Sequence, residues 1–223
     1  MRKIQFTLLL CLCISITSYS QQNNIVKQRK NAIGISVGTG FGLDYSRKIN
    51  SKLHVTFGYN SLAHSIKDIE QEISGENLLI NSKLNFKNVD LKISYLPFSS
   101  SSFKLIAGVG FFSKSEMSLV TNFKDNLKIG DIVFTAADKG KLDINFNWAK
   151  TAPYIGLGFG RPVPKKRLGF SFEVGTYISD SPIIKLNATG IIEDSKDQEP
   201  LLNNAFKTFK YLPYLSFRLS YSI

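Results

Sequence analysis

The sequence predicts an all-β fold, a membrane-spanning antiparallel barrel of eight strands and at most ten, and three observations carry that reading. The first is a two-residue alternation. Ile33, Ile35, Val37, Thr39, Phe41, Leu43 and Tyr45 fall on one face of an extended chain, and Gly34, Ser36, Gly38, Gly40, Gly42 and Asp44 on the other. The second is the opening of the chain. Arg2 and Lys3, a short apolar core from Ile4 to Ile16 and the small-x-small pattern Ser18-Tyr19-Ser20 make a secretory signal, with a mature start near Gln21. The third is that the 203 residues after Ser20 hold no apolar run of the roughly 20 residues a helical span needs. In lipid only helices and closed barrels satisfy every backbone polar group, so an exported chain of alternating strands crosses as a barrel.

Length sets the strand number. A spanning strand takes about 9–11 residues plus its turn, so about 16 strands would consume the chain and eight fit with loops to spare. Residues 1–20 are read as the signal, 21–31 as a flexible lead-in and 32–223 as the barrel. Both cysteines, Cys11 and Cys13, lie inside the signal, which leaves the remainder without disulfides, thiol nucleophiles or thiolate metal sites. A lipoprotein reading of Leu8-Leu9-Leu10-Cys11 is disfavoured, because Leu10 is not small. The formal charge is +11, or +9 without Arg2 and Lys3. Export turns that basic balance away from nucleic acid and toward lipid phosphates, or toward a solubilising loop surface.

The elements follow in order. The first strand runs from Ala32 to Arg47 and turns at Ile49-Asn50-Ser51-Lys52. Leu53, Val55, Phe57 and Tyr59 then alternate with His54, Thr56, Gly58 and Asn60, before a polar stretch to about Asn81. The third strand spans Leu84 to Leu96, with Val89, Leu91, Ile93 and Tyr95 outward. Leu84 and Phe86 are out of phase with them, which predicts a bulge near Lys87 or Asn88. After a turn at Pro97 to Ser102, Phe103, Leu105, Ala107, Val109 and Phe111 face outward. A second polar segment covers Ser113 to Lys141. Leu142, Ile144, Phe146 and Trp148 lead a strand that shifts phase near Pro153 and continues through Ile155, Leu157 and Phe159. A Pro-rich turn, Arg161 to Arg167, precedes Leu168, Phe170, Phe172, Val174, Thr176 and Ile178. Ser179 to Pro182 interrupts that face, and Ile183 to Ile192 continues extended. Glu193 to Lys207 is the only helix expected, a loop element. Tyr211 to Ile223 closes the chain with Pro213, Leu215, Phe217, Leu219, Tyr221 and Ile223 outward. That makes seven strands, whereas single-chain bacterial barrels have an even number. Either Ile183 to Ile192 counts separately, or the first segment folds into a hairpin at Gly38-Thr39-Gly40.

Ala152-Pro153-Tyr154-Ile155-Gly156-Leu157-Gly158-Phe159-Gly160 resembles a motif of small outer-membrane β-barrel proteins of Gram-negative bacteria. So do Leu168-Gly169-Phe170-Ser171-Phe172-Glu173-Val174-Gly175, Ser181-Pro182, Leu186-Asn187-Ala188-Thr189-Gly190, the first strand and the closing strand. The group includes porin-like, OmpW-like and OmpA-like barrels. The resemblance implies an outer-membrane address, insertion by the barrel assembly machinery, and contact with outer-membrane lipids including lipopolysaccharide. It implies architecture more than activity.

Candidate chemistry is sparse. Gly156-Leu157-Gly158-Phe159-Gly160 runs into Arg161-Pro162-Val163-Pro164, so no helix starts there to receive a phosphate. Inside a narrow barrel these glycines relieve crowding. His54 and His64 are not spaced with a nucleophile and an acid, so neither catalysis nor a cofactor is expected, and no carboxylate–histidine cluster suggests a metal. Pro164-Lys165-Lys166-Arg167 is a basic turn near headgroups, and the sequon Asn187-Ala188-Thr189 is strand sequence. The inward parity gathers Asp44, Asp90 and Glu173 with Lys92, Lys104 and Arg218, three charges against three, which must pair in a poorly hydrated interior. Ile35, Val37, Phe41, Val109, Phe172 and Phe217 carry the lipid-facing parity. Two readings stay open: a narrow pore or lateral route for small solutes, or a plugged barrel that anchors surface loops.

Overall fold

The computed structural model describes residues 29–73, 76–98, 100–129 and 132–223. The signal segment, its cleavage site, Cys11, Cys13 and most of the lead-in lie outside the described residues. β1 (Asn31–Gly38) and β2 (Phe41–Lys48) form a short hairpin, followed by the long strands β3 (Leu53–Ile73), β4 (Glu76–Tyr95) and β5 (Phe103–Phe123). A ribbon of β6 (Leu127–Ile129) and β7 (Ile132–Phe134) and a helical turn at Ala136–Lys139 come next. β8 (Lys141–Asn147) leads into β9 (Thr151–Phe159), and β10 (Leu168–Ile178) into β11 (Ile183–Ala188). A 3-10 helix at Gly190–Gln198, an α-helix at Glu199–Ala205 and β12 (Tyr211–Ser222) complete the chain.

Eight strands close into an antiparallel ring, β1-β2-β3-β4-β5-β9-β10-β12, with β12 returning to pair with β1 and β9 with β5. β8 and β11 are not ring members. β8 pairs with β5 beyond the ring, from Glu116 to Asn122, and β11 pairs with β8. The strand parity therefore resolves through the first hairpin. Val37 pairs with Phe41 across the Thr39-Gly40 loop, so both stay outward and the alternation passes through the turn without a break. The start of β1, the C-terminus and the turn segments 49–52, 96–98, 100–102 and 160–167 share one end, the near end. The first hairpin loop, the facing ends of β3 and β4 and the segments 124–129, 132–140 and 189–210 share the far end.

The two faces exchange polarity at one level of the wall. On β9 the outward residues are Pro153, Ile155, Leu157 and Phe159; on β8, directly above, they are Lys141, Asp143, Asn145 and Asn147. The inward residues change in the opposite sense, from Tyr154, Gly156 and Gly158 to Leu142, Ile144 and Phe146. β4 switches at the same height, from outward Tyr95, Ile93, Leu91 and Val89 to outward Lys87, Asn85 and Lys83. An outward face that is apolar over Phe103–Phe111 and polar from Lys114 onward fits hydrocarbon below and water above, because nine residues match the thickness a tilted strand spans. Above the boundary the apolar face turns inward and builds an ordinary core. Phe146, Trp148 and Ile184 are buried there against Phe86, Met117, Leu119, Ile144 and Leu202. Phe206 and Phe209 from the helical segment cover it, with ring centroids 5.2 Å from Phe146 and 6.1 Å from Trp148.

This exchange corrects several expectations. The polar stretch after Asn60, and the one after Ser113 as far as Phe123, are not loops but the upper halves of β3, β4 and β5, which look irregular because water replaces lipid outside; only from residue 124 does the second stretch become the connection expected. The bulge near Lys87 and Asn88 exists, but its extra residue is Ser113 on β5. Leu84 and Phe86 share the inward face with Asn88 and Asp90. Nor does the strand shift phase at Pro153: even-numbered residues face inward throughout β8 and β9, and only their surroundings change. The extended segment after Pro182 ends at Ala188, and the helical region begins earlier than expected, at Gly190.

The boundary has a direct consequence for stability. Ile155→Arg, in the middle of the lipid-facing stripe, should destabilise the barrel by roughly 2–4 kcal/mol. Asn147→Arg, outward on β8 above the boundary, should change it by less than about 0.5 kcal/mol. Urea unfolding in lipid vesicles measures both; equal costs would place the boundary elsewhere.

Candidate functional site

The candidate site is the barrel interior, and its geometry follows from ring size. Eight strands enclose a space that side chains just fill. Small residues make room for large ones across the wall. A Cβ at Gly34 would collide with the Arg218 guanidinium, one at Gly158 would lie 2.7 Å from Lys104 Cε, and one at Gly110 would lie 2.8 Å from the Tyr177 ring. Gly156 and Gly175 both lie against the Tyr154 hydroxyl.

The structure places Asp44, Asp90, Lys92, Lys104, Glu173 and Arg218 inside the ring as two linked groups. Arg218 grips Asp44 with two nitrogens, Nε donating to Oδ2 at 2.7 Å and Nη2 to Oδ1. Its Nη1 donates to the Pro162 carbonyl at 2.9 Å, and Nη2 also reaches Ser46 Oγ at 3.1 Å. In the second group Lys92 Nζ lies 2.8 Å from Glu173 and 3.5 Å from Asp90, while Lys104 Nζ lies 3.8 Å from the other Glu173 oxygen. Asp90 also accepts hydrogen bonds from Asn60 at 2.6 Å, Tyr177 at 2.8 Å and Asn88. Each carboxylate thus has a cation and, at Asp90, three neutral donors, which is what a charge withdrawn from water requires.

Three tyrosines complete the arrangement. Tyr154, Tyr177 and Tyr214 pack with centroids 4.8–5.7 Å apart. Lys92 Nζ stands 4.1 Å from the Tyr154 ring centre and 4.0 Å from that of Tyr214, so aromatic faces solvate the ammonium where water is excluded. Ile106, Phe112 and Ala152 are buried with Tyr154 and Tyr177 in one cluster. At the near end the Pro-rich turn folds under the barrel rather than along its rim: Pro162, Val163 and Pro164 are all buried. Gly160, at φ +95°, starts that inward course, and a Cβ there would meet the Phe170 carbonyl. The cavity left among the charges is about 40 Å³.

Sequence parity alone had marked the six charges; it had not singled out the tyrosines or the inward turn. Tyr154, Tyr177 and Tyr214 share the parity of Gly156, Gly175 and Ser216, and that shared parity was the available signal. No local pattern reveals that the turn folds inward. His54 is buried on the inward face toward the near end, whereas His64 is exposed on upper β3. Among the described residues no group of three or more His, Cys, Asp or Glu could hold a metal ion. On the outer face Ile35, Val37, Phe41 and Phe217 are exposed, and Val109 and Phe172 are half-buried with outward side chains.

Neither a family model nor a curated protein matches this sequence. Solved structures do match its fold. Acinetobacter baumannii CarO superposes with a TM-score of 0.60 at 20% identity, covering 90% of this chain and 100% of its own. A. baumannii CarO2 gives 0.60 at 20% identity over 87% and 98%. A major outer membrane protein from Thermus thermophilus gives 0.45 at 13% identity over 87% and 98%. The fold is that of an outer-membrane β-barrel.

Breaking the tighter pair should be costly. Asp44→Ala leaves Arg218 charged in a dry interior and should lower stability by about 3–5 kcal/mol, whereas Asp44→Ala combined with Arg218→Met should recover most of that loss. Urea titrations of the refolded barrel, read by the single tryptophan Trp148, measure both. A double variant no better than Asp44→Ala would show that the guanidinium is not what the carboxylate serves.

Proposed function

We propose that the protein is an outer-membrane barrel closed to solutes, which anchors the sheet extension and helical cap at its far end. The filled interior carries this reading. The Pro162–Pro164 turn lies beneath, the paired charges occupy the middle, and the Tyr154, Tyr177 and Phe112 layer lies above. A cavity of about 40 Å³ holds a few waters at most, since one water needs roughly 10–15 Å³ of such space. Export by the N-terminal signal with cleavage near Gln21, insertion by the barrel assembly machinery and contact with lipopolysaccharide belong to the same reading. Short turns at the near end then face the periplasm, and the longer connections face outward, as is general for such barrels. The part presented to the surroundings is the far-end extension built around the buried core of Phe146, Trp148 and Ile184, and no catalytic chemistry is required of it.

Planar-bilayer recording separates this reading from a narrow pore. Protein that shifts mobility on boiling, and is therefore folded, should give no reproducible current steps. Discrete steps whose size or ion preference changes with Lys104→Glu would establish a conducting path through the charged layer and overturn the anchor.

A further inference from the structure

The outer wall is not uniform. Between β9, β10, β12 and β1 it carries a groove of about 460 Å³, a size typical of ligand sites, walled by Ile35, Val37, Phe159, Phe170, Phe172 and Phe217. Its cause is a step in the sheet. β9 ends at Phe159, opposite Phe172, while β10 continues four residues further to Leu168 and keeps pairing with β12. Past Phe159 the chain dives inward at Gly160, so β10 has no paired strand on that side and the outer surface falls away. Phe170 stands 79% exposed at the edge of the hollow.

The same excursion delivers charge to the foot of the groove. After Pro164 the chain returns to the wall through Lys165, Lys166 and Arg167, all exposed. Arg167 is three residues from Phe170, about 10 Å along an extended strand. This cluster belongs to a wider asymmetry. The near-end segments 29–31, 47–52, 96–98, 100–102 and 160–167 contain nine cationic side chains, counting Arg29, Lys30, Arg47, Lys48, Lys52 and Arg161, and no Asp or Glu. Among the described residues the acidic side chains outside the lumen all belong to the far half.

We infer that the groove holds an acyl chain of an anionic phospholipid from the near-end leaflet, with the lipid phosphate held by Lys165, Lys166 and Arg167. An apolar hollow open to hydrocarbon takes a chain, and three cations at headgroup depth below it select a negative head. Each such cation adds to the attraction for an anionic headgroup. The inference needs a membrane-embedded barrel but not a closed lumen, so a conducting barrel would leave it standing.

The test uses the full-length exported protein in vesicles of equal parts phosphatidylcholine and phosphatidylglycerol, extracted in mild detergent and weighed intact by native mass spectrometry. A mobility shift on boiling certifies the fold of every variant first. Wild type should retain phosphatidylglycerol over phosphatidylcholine by roughly tenfold or more. Lys165→Gln, Lys166→Gln and Arg167→Gln together should bring that ratio close to unity. Val37→Trp, which fills the hollow, should reduce retention of both lipids. If the triple variant does not fold, wild type in high salt reads the same contact, because screening should depress the ratio. Equal retention of the two lipids by wild type, or a ratio indifferent to both the charge change and salt, would overturn the inference. So would a dimer that Val37→Trp dissociates, because the groove would then belong to a second copy of the chain.

Discussion

Ring closure by β1 and β12 governs everything else in this protein. Seven residue pairs, from Ala32–Ser222 to Gly38–Ser216, close the ring, and without them its two edge strands in lipid would expose unsatisfied backbone groups. Closure at eight strands also fixes the diameter, and the diameter decides what the interior can be. A space that narrow admits side chains or water but not both in quantity. Charges inside it are therefore stable only as partners. The two-pronged contact of Arg218 with Asp44 and the Lys92–Glu173 contact at 2.8 Å are the outcome of that constraint.

A second consequence concerns where the membrane stops. β4 continues from hydrocarbon into water as one strand, so along it the change is written in side chains. β9 and β8 show it most simply: apolar outside and small or aromatic inside, then polar outside and apolar inside. The extension above the boundary thereby has an apolar core that is continuous with the top of the lumen. Leu212 and Phe86 touch both the tyrosine cluster below and the Trp148 cluster above, which couples the two layers mechanically.

The lipid-embedded part was the part legible in the sequence, because a two-residue period with one greasy face suits little besides a strand against hydrocarbon. Val89 to Tyr95, Phe103 to Phe111 and Leu215 to Phe217 show it at its plainest. Where the protein leaves the bilayer the period persists but its polarity reverses, so Ser65 and Ser118 read as loop although they are strand. The first hairpin was one of two ways to an even strand count, and the alternation could not choose it, because Val37 and Phe41 are an even number of residues apart and parity survives the turn. Within the lumen the charges stood out against glycines. The tyrosines did not, since an inward tyrosine and an outward one look alike until the register is known. The course of Pro162 to Pro164 into the mouth depends on the step between β9 and β10, a tertiary feature that no short window contains.

Cysteine accessibility along β4 tests the central claim most directly, because the sequence has no cysteine beyond Cys13 to interfere. Single cysteines would replace Lys83, Asn85, Lys87, Asn88, Val89, Leu91, Ile93 and Ser94 in turn, and a charged, membrane-impermeant maleimide would be applied to the embedded protein. Filled lumen and lipid belt together predict labelling at 83, 85 and 87 and none at 89, 91 or 93, with 88 and 94 silent as well. Labelling at 94 would reveal a wet passage where paired charges are supposed to exclude water, and labelling at 91 would take lipid away from the outer wall.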